Sequence, residues 1–258
     1  LNCPEVSKHI THWLKSYVEQ SGLKGFVIGI SGGIDSAVTS TLCAQTEKEV
    51  LLLNLPLRQN KKEYDRASEH ILDLEKRFSN VKGLEIDLSH SFDCLSQSLP
   101  GSVSEDALAM ANTRSRLRMT TLYAVAQHHH CLVAGTGNKI EDFGVGFFTK
   151  YGDGGVDLSP IADLTKSEVF QLAEYLGVVT SIQNASPTDG LWSDGRTDEQ
   201  QLGATYSELE WAMMFSGEVD SLNDRQKYVL EIYRKFHTQN KHKMEPIPVC
   251  LIPENIKS

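Results

Sequence analysis

The 258-residue chain carries 25 Lys and Arg against 34 Asp and Glu, a formal net charge of −9, with 40% hydrophobic and 23% charged residues. That is the balance of a globular chain long enough for one sizeable core. It offers no clustered basic surface for a sequence-general nucleic-acid partner, and its longest apolar runs, such as Val50-Leu51-Leu52-Leu53, fall far short of the ~20 residues that span a bilayer.

In chain order, Val6, Ile10, Trp13, Leu14, Tyr17 and Val18 recur at helical spacing, which predicts a core-packing helix over 1–25 in place of a secretory leader. Phe26 to Ile30 reads FVIGI, a strand, followed by the loop SGGIDS and a helix-compatible AVTSTLCAQ. Val50 to Leu55 is a second strand closed by Pro56, and Tyr64, Ala67, Ile71, Leu74 and Phe78 mark the helix after it. Leu84 to Leu88 alternates as a third strand, a helix runs from about Ser104 to His128, and Cys131 to Ala134 is a fourth strand. Residues 137–158 carry six glycines and little periodicity, which points to a functional loop. Thr165 to Glu168 has capping-box spacing before a helix that Gly177 can end. Asn184 to Gly203 is irregular, and helical patterns follow over Tyr206 to Phe215 and Asp224 to Phe236.

Strands alternating with helices predict an α/β fold, a doubly wound, Rossmann-like parallel sheet with its ligand site at the carboxyl ends of the strands. A single domain is expected, with an N-terminal helix over 1–25, a nucleotide-binding core over 26–136, substrate loops and a helix over 137–203, and C-terminal helices and tail over 204–258. The five cysteines, Cys3, Cys43, Cys94, Cys131 and Cys250, form no CxxC pair and sit mostly in apolar surroundings. They read as buried free thiols of a reducing, cytoplasmic compartment.

The chemistry lies in Gly29-Ile30-Ser31-Gly32-Gly33-Ile34-Asp35-Ser36. Glycines between a strand and a helix let backbone N–H groups approach phosphate oxygens, two serines add hydroxyls, and the helix N-terminus adds a positive field. No Walker A sequence occurs and no GxGxxG follows this strand, so γ-phosphoryl transfer and dinucleotide redox chemistry lose support. Placed after FVIGI, the loop resembles the pyrophosphate loop of the adenine-nucleotide ATP pyrophosphatases, which cleave ATP between the α and β phosphates.

A second set narrows the resemblance. Gly135-Thr136, Glu141, the run from Gly146-Phe147-Phe148-Thr149-Lys150 through Gly155, Asp157, Pro160 and Leu164-Thr165-Lys166 are similar to the signature of NAD synthetases. Asn112 with Arg116 to Met119, Pro187-Thr188, Thr197 to Gly203 and His242-Lys243 follow in the family order. The resemblance implies an adenine nucleotide α-hydrolase-like fold and a ligase that amidates deamido-NAD with ammonia at the expense of ATP. It implies Asp35, Glu141 and Ser31 as the catalytic set, with Asp35 and Glu141 as Mg²⁺ ligands. ATP falls to residues 29–36 with Thr136, Lys166 and Thr188, and deamido-NAD to Arg116, Lys150, Asp157, His242 and Lys243. Arg58 and Gln59 match the adenine side more loosely. Arg114 and Arg118 flank Arg116 at spacings of two and point to other sides of the helix, and His128-His129-His130 splays at a helix end in place of binding metal. A homodimer is implied, and ammonia without a glutaminase domain, since only about 25 residues precede the first strand.

Two departures from the family stand out. Where the family often reads Gly-Thr-Asp-His-Ala-Ala-Glu, this chain reads Gly135-Thr136-Gly137-Asn138-Lys139-Ile140-Glu141. From Glu141 to Gly146-Phe147-Phe148 the spacing is one residue longer, in the segment that holds Phe143. Other ATP pyrophosphatases, such as a GMP synthetase domain or a tRNA-modifying ligase, and a non-catalytic nucleotide sensor are the competing readings. The paired carboxylates disfavour the sensor, and the absent basic patch and cysteine pair disfavour the tRNA ligase.

Overall fold

The computed structural model describes residues 1–188 and 197–257. Four strands, β1 (Gly25–Gly29), β2 (Glu49–Asn54), β3 (Val81–Glu85) and β4 (Leu132–Val133), form one parallel sheet in the order β3-β2-β1-β4. The helices are α1 (Cys3–Ser21), α2 (Ile34–Ala44), α3 (Lys61–Arg77), α4 (Ser89–Ser98), α5 (Gly101–Ser104), α6 (Ala107–His129), α7 (Lys166–Tyr175), α8 (Thr180–Gln183), α9 (Asp198–Leu202), α10 (Tyr206–Met214) and α11 (Asp224–Met244). None of the described helices is long and apolar enough to cross a membrane.

Strand side chains alternate between two cores, as the period of two requires. Phe26, Ile28, Val50 and Leu52 face Leu14 of α1, Val38 and Leu42 of α2, Leu74 of α3 and Leu172 of α7. Val27, Leu51, Leu53 and Val133 face Phe92 of α4 and Met119 and Leu122 of α6. A third cluster, with Ile140, Leu209 and Val229, joins α10 and α11 to the segment after β4. The strand order reverses between β1 and β4, so the loops leaving those two strands flank the switch point where such sheets bind ligands.

Several boundaries differ from the sequence reading. β3 pairs over Val81–Glu85, starting three residues before the expected Leu84, because its register is set by Val50 opposite Val81, and β2 stops before Pro56. The Leu84, Ile86 and Leu88 alternation does face the second core. In α1 only Ile10, Leu14 and Val18 of the apolar stripe are buried, while Trp13 and Tyr17 pack against each other with tilted rings at the surface. Cys43 and Cys131 are buried, but Cys94 and Cys250 are exposed. α11 continues past Phe236 to Met244. The irregular stretch expected over 184–203 lies partly outside the described residues, and its described end is not irregular: Thr197 caps α9 in a capping box with Gln200.

Candidate functional site

The loop after β1 is held by its own side chains. Ile30 N–H still donates to Leu53 O at 2.9 Å, and the chain then turns through Gly32, at φ +79°, into α2. Ser36 Oγ donates to Gly33 O at 2.9 Å and lies 3.2 Å from Ser31 Oγ, which accepts from Gly33 N at 3.2 Å. Arg66 of α3 fixes the outside of the turn, Nε donating to Gly32 O at 3.0 Å. Asp35 therefore stands in the first turn of α2, beside the unpaired N–H groups and positive end of the helix.

The loop after β4 supplies the opposite wall. Gly135 N donates to Leu158 O, and Asn138 turns the chain, its Oδ1 accepting from Ile140 N at 3.1 Å and Glu141 N at 3.2 Å. Residues Ile140–Val145 form a π-helical turn, whose wider ring holds one residue more than an α-turn. Gly137 lies against the Asp142 carboxylate, which fills the space of a side chain at 137.

Lys166, first residue of α7 behind the Thr165–Glu168 capping box, brings the two walls together. Its Nζ donates to Asp35 Oδ2 at 2.6 Å and Glu141 Oε1 at 2.9 Å, with Lys166 3% exposed and each carboxylate 16%. Asn138 Nδ2 donates to Asp35 Oδ1 at 3.1 Å, and Tyr206 OH lies 2.6 Å from Glu141 Oε1 and 3.1 Å from Asp198 Oδ2. Burial raises Asp35 above the ordinary carboxylate value despite Lys166. For Glu141 burial pulls the same way, but Lys166 and the Tyr206 hydroxyl together hold it below that value. Burial opposes the charge of Lys166, yet the two carboxylates keep the ammonium protonated well above its usual range. Asp142, beside them, is pushed up to about 8 by burial and by the negative charges of Glu141, Asp153 and Asp35.

One cleft of about 700 Å³ spans these groups. It is lined by residues 29–36, Thr136, Glu141, Lys166, Thr188, Arg116, Lys150, His242 and Lys243. α11 closes one side: His237 Nδ1 and Asn240 Nδ2 bond to Gly144 O and Val145 O, both at 2.8 Å, and Lys243 Nζ donates to Phe148 O at 2.7 Å. Lys150 Nζ donates to His242 O at 2.6 Å, and Arg116 Nε to Lys150 O at 3.1 Å. Thr188 Oγ1 lies 3.0 Å from Glu63 Oε1. Gln59 lines the cleft and accepts from Arg118, whereas Arg58 pairs with Asp93 at the surface. Arg114 lies over the Phe92 ring, whereas Arg116 and Arg118, expected on different sides of α6, both line the cleft. Asp157 is not among the lining residues; its oxygens bond to Tyr123 OH at 3.0 Å and Val133 N at 2.8 Å. Tyr206, Asn138 and Asp142 were not singled out from the sequence. A tyrosine directly after a capping threonine, at the head of an apolar helix, was the available signal for the first.

A doubly wound parallel sheet with a Ser-Gly-Gly loop and converging carboxylates at its switch point defines an α/β nucleotide-binding enzyme of the adenine nucleotide α-hydrolase-like fold. The NAD synthase family profile matches residues 6–246. The NH3-dependent NAD+ synthetase of Mycoplasma genitalium is 36% identical over 237 residues, covering 91% of each chain. That of Alkaliphilus metalliredigens is 38% identical over 253 residues, 93% of this chain and 96% of the relative. Among solved structures, NMN synthetase from Francisella tularensis superposes with a TM-score of 0.83 at 33% identity, covering 98% of this chain and 99% of the other. The chain belongs to the NAD synthase family.

Proposed function

We propose that this chain amidates deamido-NAD to NAD with ammonia and ATP, through an adenylated nicotinate carboxylate, releasing AMP and pyrophosphate. The observation that carries the reading is the meeting of the Ser31–Ser36 loop with Asp35, Glu141 and Lys166 in one cleft of a member of this family. A free carboxylate is a poor acyl donor, because ammonia would have to displace oxide. Attack of its oxygen on the α-phosphorus of ATP breaks the α–β bridge and leaves an acyl adenylate. Ammonia then adds to the carbonyl, AMP departs, and a C–N bond replaces the C–O bond. The loop N–H groups, Thr136 and Thr188 face the triphosphate, to which the resemblance also assigns Lys166, and Arg116, Lys150, His242 and Lys243 face deamido-NAD. Asp157 joins that second set on the resemblance alone. Asp35 and Glu141 would hold Mg²⁺, which when bound neutralises charge on the departing pyrophosphate. Two carboxylates converging on one point fit that ion, since it takes one or two carboxylates plus phosphate oxygens and needs no all-protein cage.

Purified protein given ATP, Mg²⁺, ammonium and deamido-NAD is expected to form NAD with one AMP and one pyrophosphate each, and glutamine is expected not to replace ammonium. Formation of ADP, or ATP cleavage indifferent to deamido-NAD, would sink the reading. The Francisella structure's name motivates a second one, amidation of nicotinate mononucleotide by the same steps; a higher kcat/KM for the mononucleotide would establish it. The reading includes a cytoplasmic homodimer. The exposed tail residues Ile247, Val249 and Leu251 are an apolar surface a second copy would cover, and light scattering on the purified chain tests this.

A further inference from the structure

The cation expected on ATP stands instead between the two carboxylates expected to hold metal. Lys166 Nζ has three N–H groups. Two sides of it are taken by Asp35 Oδ2 and Glu141 Oε1, and the Tyr206 ring lies 4.8 Å away on another. In this arrangement the ammonium is aimed at no incoming phosphate. Magnesium held by carboxylates sits about 2.0–2.1 Å from their oxygens, and the nitrogen already lies 2.6 and 2.9 Å from the two that converge here. A dication and an ammonium cannot share that space, and an ammonium expelled into a buried wall without a partner would be strongly disfavoured. The triphosphate is the anion that can receive it.

Resting on the proposed reading of the site, we propose that Lys166 is the resident counter-ion of the metal site, displaced by the divalent cation onto the nucleotide phosphates in one exchange, so that metal and nucleotide bind cooperatively. Asn138 on Asp35 Oδ1 and Tyr206 on Glu141 Oε1 are neutral donors that need not move. They act as positioning residues that keep both carboxylates aimed while the cation between them changes. Because coupling is reciprocal, the nucleotide must tighten the metal by the same factor by which the metal tightens the nucleotide.

The test titrates Mn²⁺ alone into the nucleotide-free protein, read by electron paramagnetic resonance at fixed pH, and repeats it with an ATP analogue not cleavable between the α and β phosphates, corrected for the metal–analogue complex in solution. Wild type is expected to gain at least tenfold in Mn²⁺ affinity with the analogue. Lys166→Met is expected to bind Mn²⁺ alone at least tenfold more tightly than wild type, to bind the analogue more weakly, and to lose most of the coupling. A folded Lys166→Met that binds Mn²⁺ no more tightly than wild type overturns the proposal. Should that variant fail to fold, the ¹⁵N resonance of the Lys166 ammonium in wild type decides. It is expected to hold its position in the free protein and shift when Mg²⁺ and the analogue are both present, and an unshifted resonance in the ternary complex overturns the exchange. None of these readouts uses turnover, so a chain inactive on deamido-NAD refutes the proposed function and leaves the exchange to be judged on binding alone.

Discussion

Replacing Gly32 by alanine separates two costs that a glycine-rich loop combines. Gly32 has φ +79°, a left-handed conformation that costs an L side chain roughly 1–2 kcal/mol. A Cβ there would also collide with the Glu63 carbonyl oxygen and stand 3.2 Å from Ala67 N, both backbone atoms of α3 that no rotamer change can move. Relief requires the loop to lift from α3, at a cost of about 1–3 kcal/mol by analogy with overpacked cores, and lifting breaks the Arg66–Gly32 bond that sets its position. Gly22, which caps α1, supplies the control: its φ is +69° and nothing lies within 4 Å of its Cβ position. Gly22→Ala is expected to cost about 1 kcal/mol and to leave nucleotide binding unchanged. Gly32→Ala should cost about 1–3 kcal/mol more and weaken an ATP analogue at least tenfold, through displaced N–H groups. Urea unfolding at equal m-value gives the first comparison and calorimetric titration the second. Equal destabilisation by the two substitutions, with analogue affinity intact in both, would refute the argument that contact with α3 shapes the phosphate loop.

Asp35→Asn removes one carboxylate charge while Lys166 keeps Glu141, so kcat should fall at least about 100-fold with a smaller loss of stability; full activity at limiting Mg²⁺ would reduce Asp35 to a helix-terminal acid. Asp142 has its carboxyl raised to about 8 in the fold, so the carboxyl form is favoured there and the native state loses stability as pH rises from about 4 through 8. Asp142→Asn should therefore be more stable than wild type by at least about 1 kcal/mol at pH 8, with the gain vanishing near pH 4, as followed by urea midpoints. His70, fully buried with Nε2 2.8 Å from Ser40 Oγ, is pushed down to about 4 by burial, so protons taken up by the unfolded chain below its ordinary value near 6.5 weaken the fold. From pH 7.5 to pH 5 wild type should lose about 2 kcal/mol through this group, and His70→Gln should abolish that part of the slope.

How far the sequence could be read depended on how each part is stabilised. Local chemistry was legible: the strand, turn and helix around Ser31 to Ser36 and the Thr165–Glu168 capping box depend on neighbours a few residues apart, and both form where their spacing predicts. The sheet faces were legible because apolar burial leaves a period, as in Phe26 and Ile28 against Val27. Helix α11 shows where that signal ends. Its C-terminal turns pack through half-buried polar side chains, with His237, Asn240 and Lys243 bonding the carbonyls of Gly144, Val145 and Phe148, and a helix face held by hydrogen bonds has no hydrophobic period to detect. The same holds at the centre of the site. Asp35 and Lys166 are 131 positions apart and meet only because β1 and β4 are neighbours across the switch point, a pairing that no local pattern encodes. Glu141 reaches them from a π-helical turn, a form that no local pattern announced. Tyr206 looked like the first residue of an apolar helix because its ring is buried as one, while its hydroxyl binds Glu141 and Asp198. Periodicity records the apolar half of such a residue. The hydroxyl that orders the site becomes visible only once the fold has set its partners within reach.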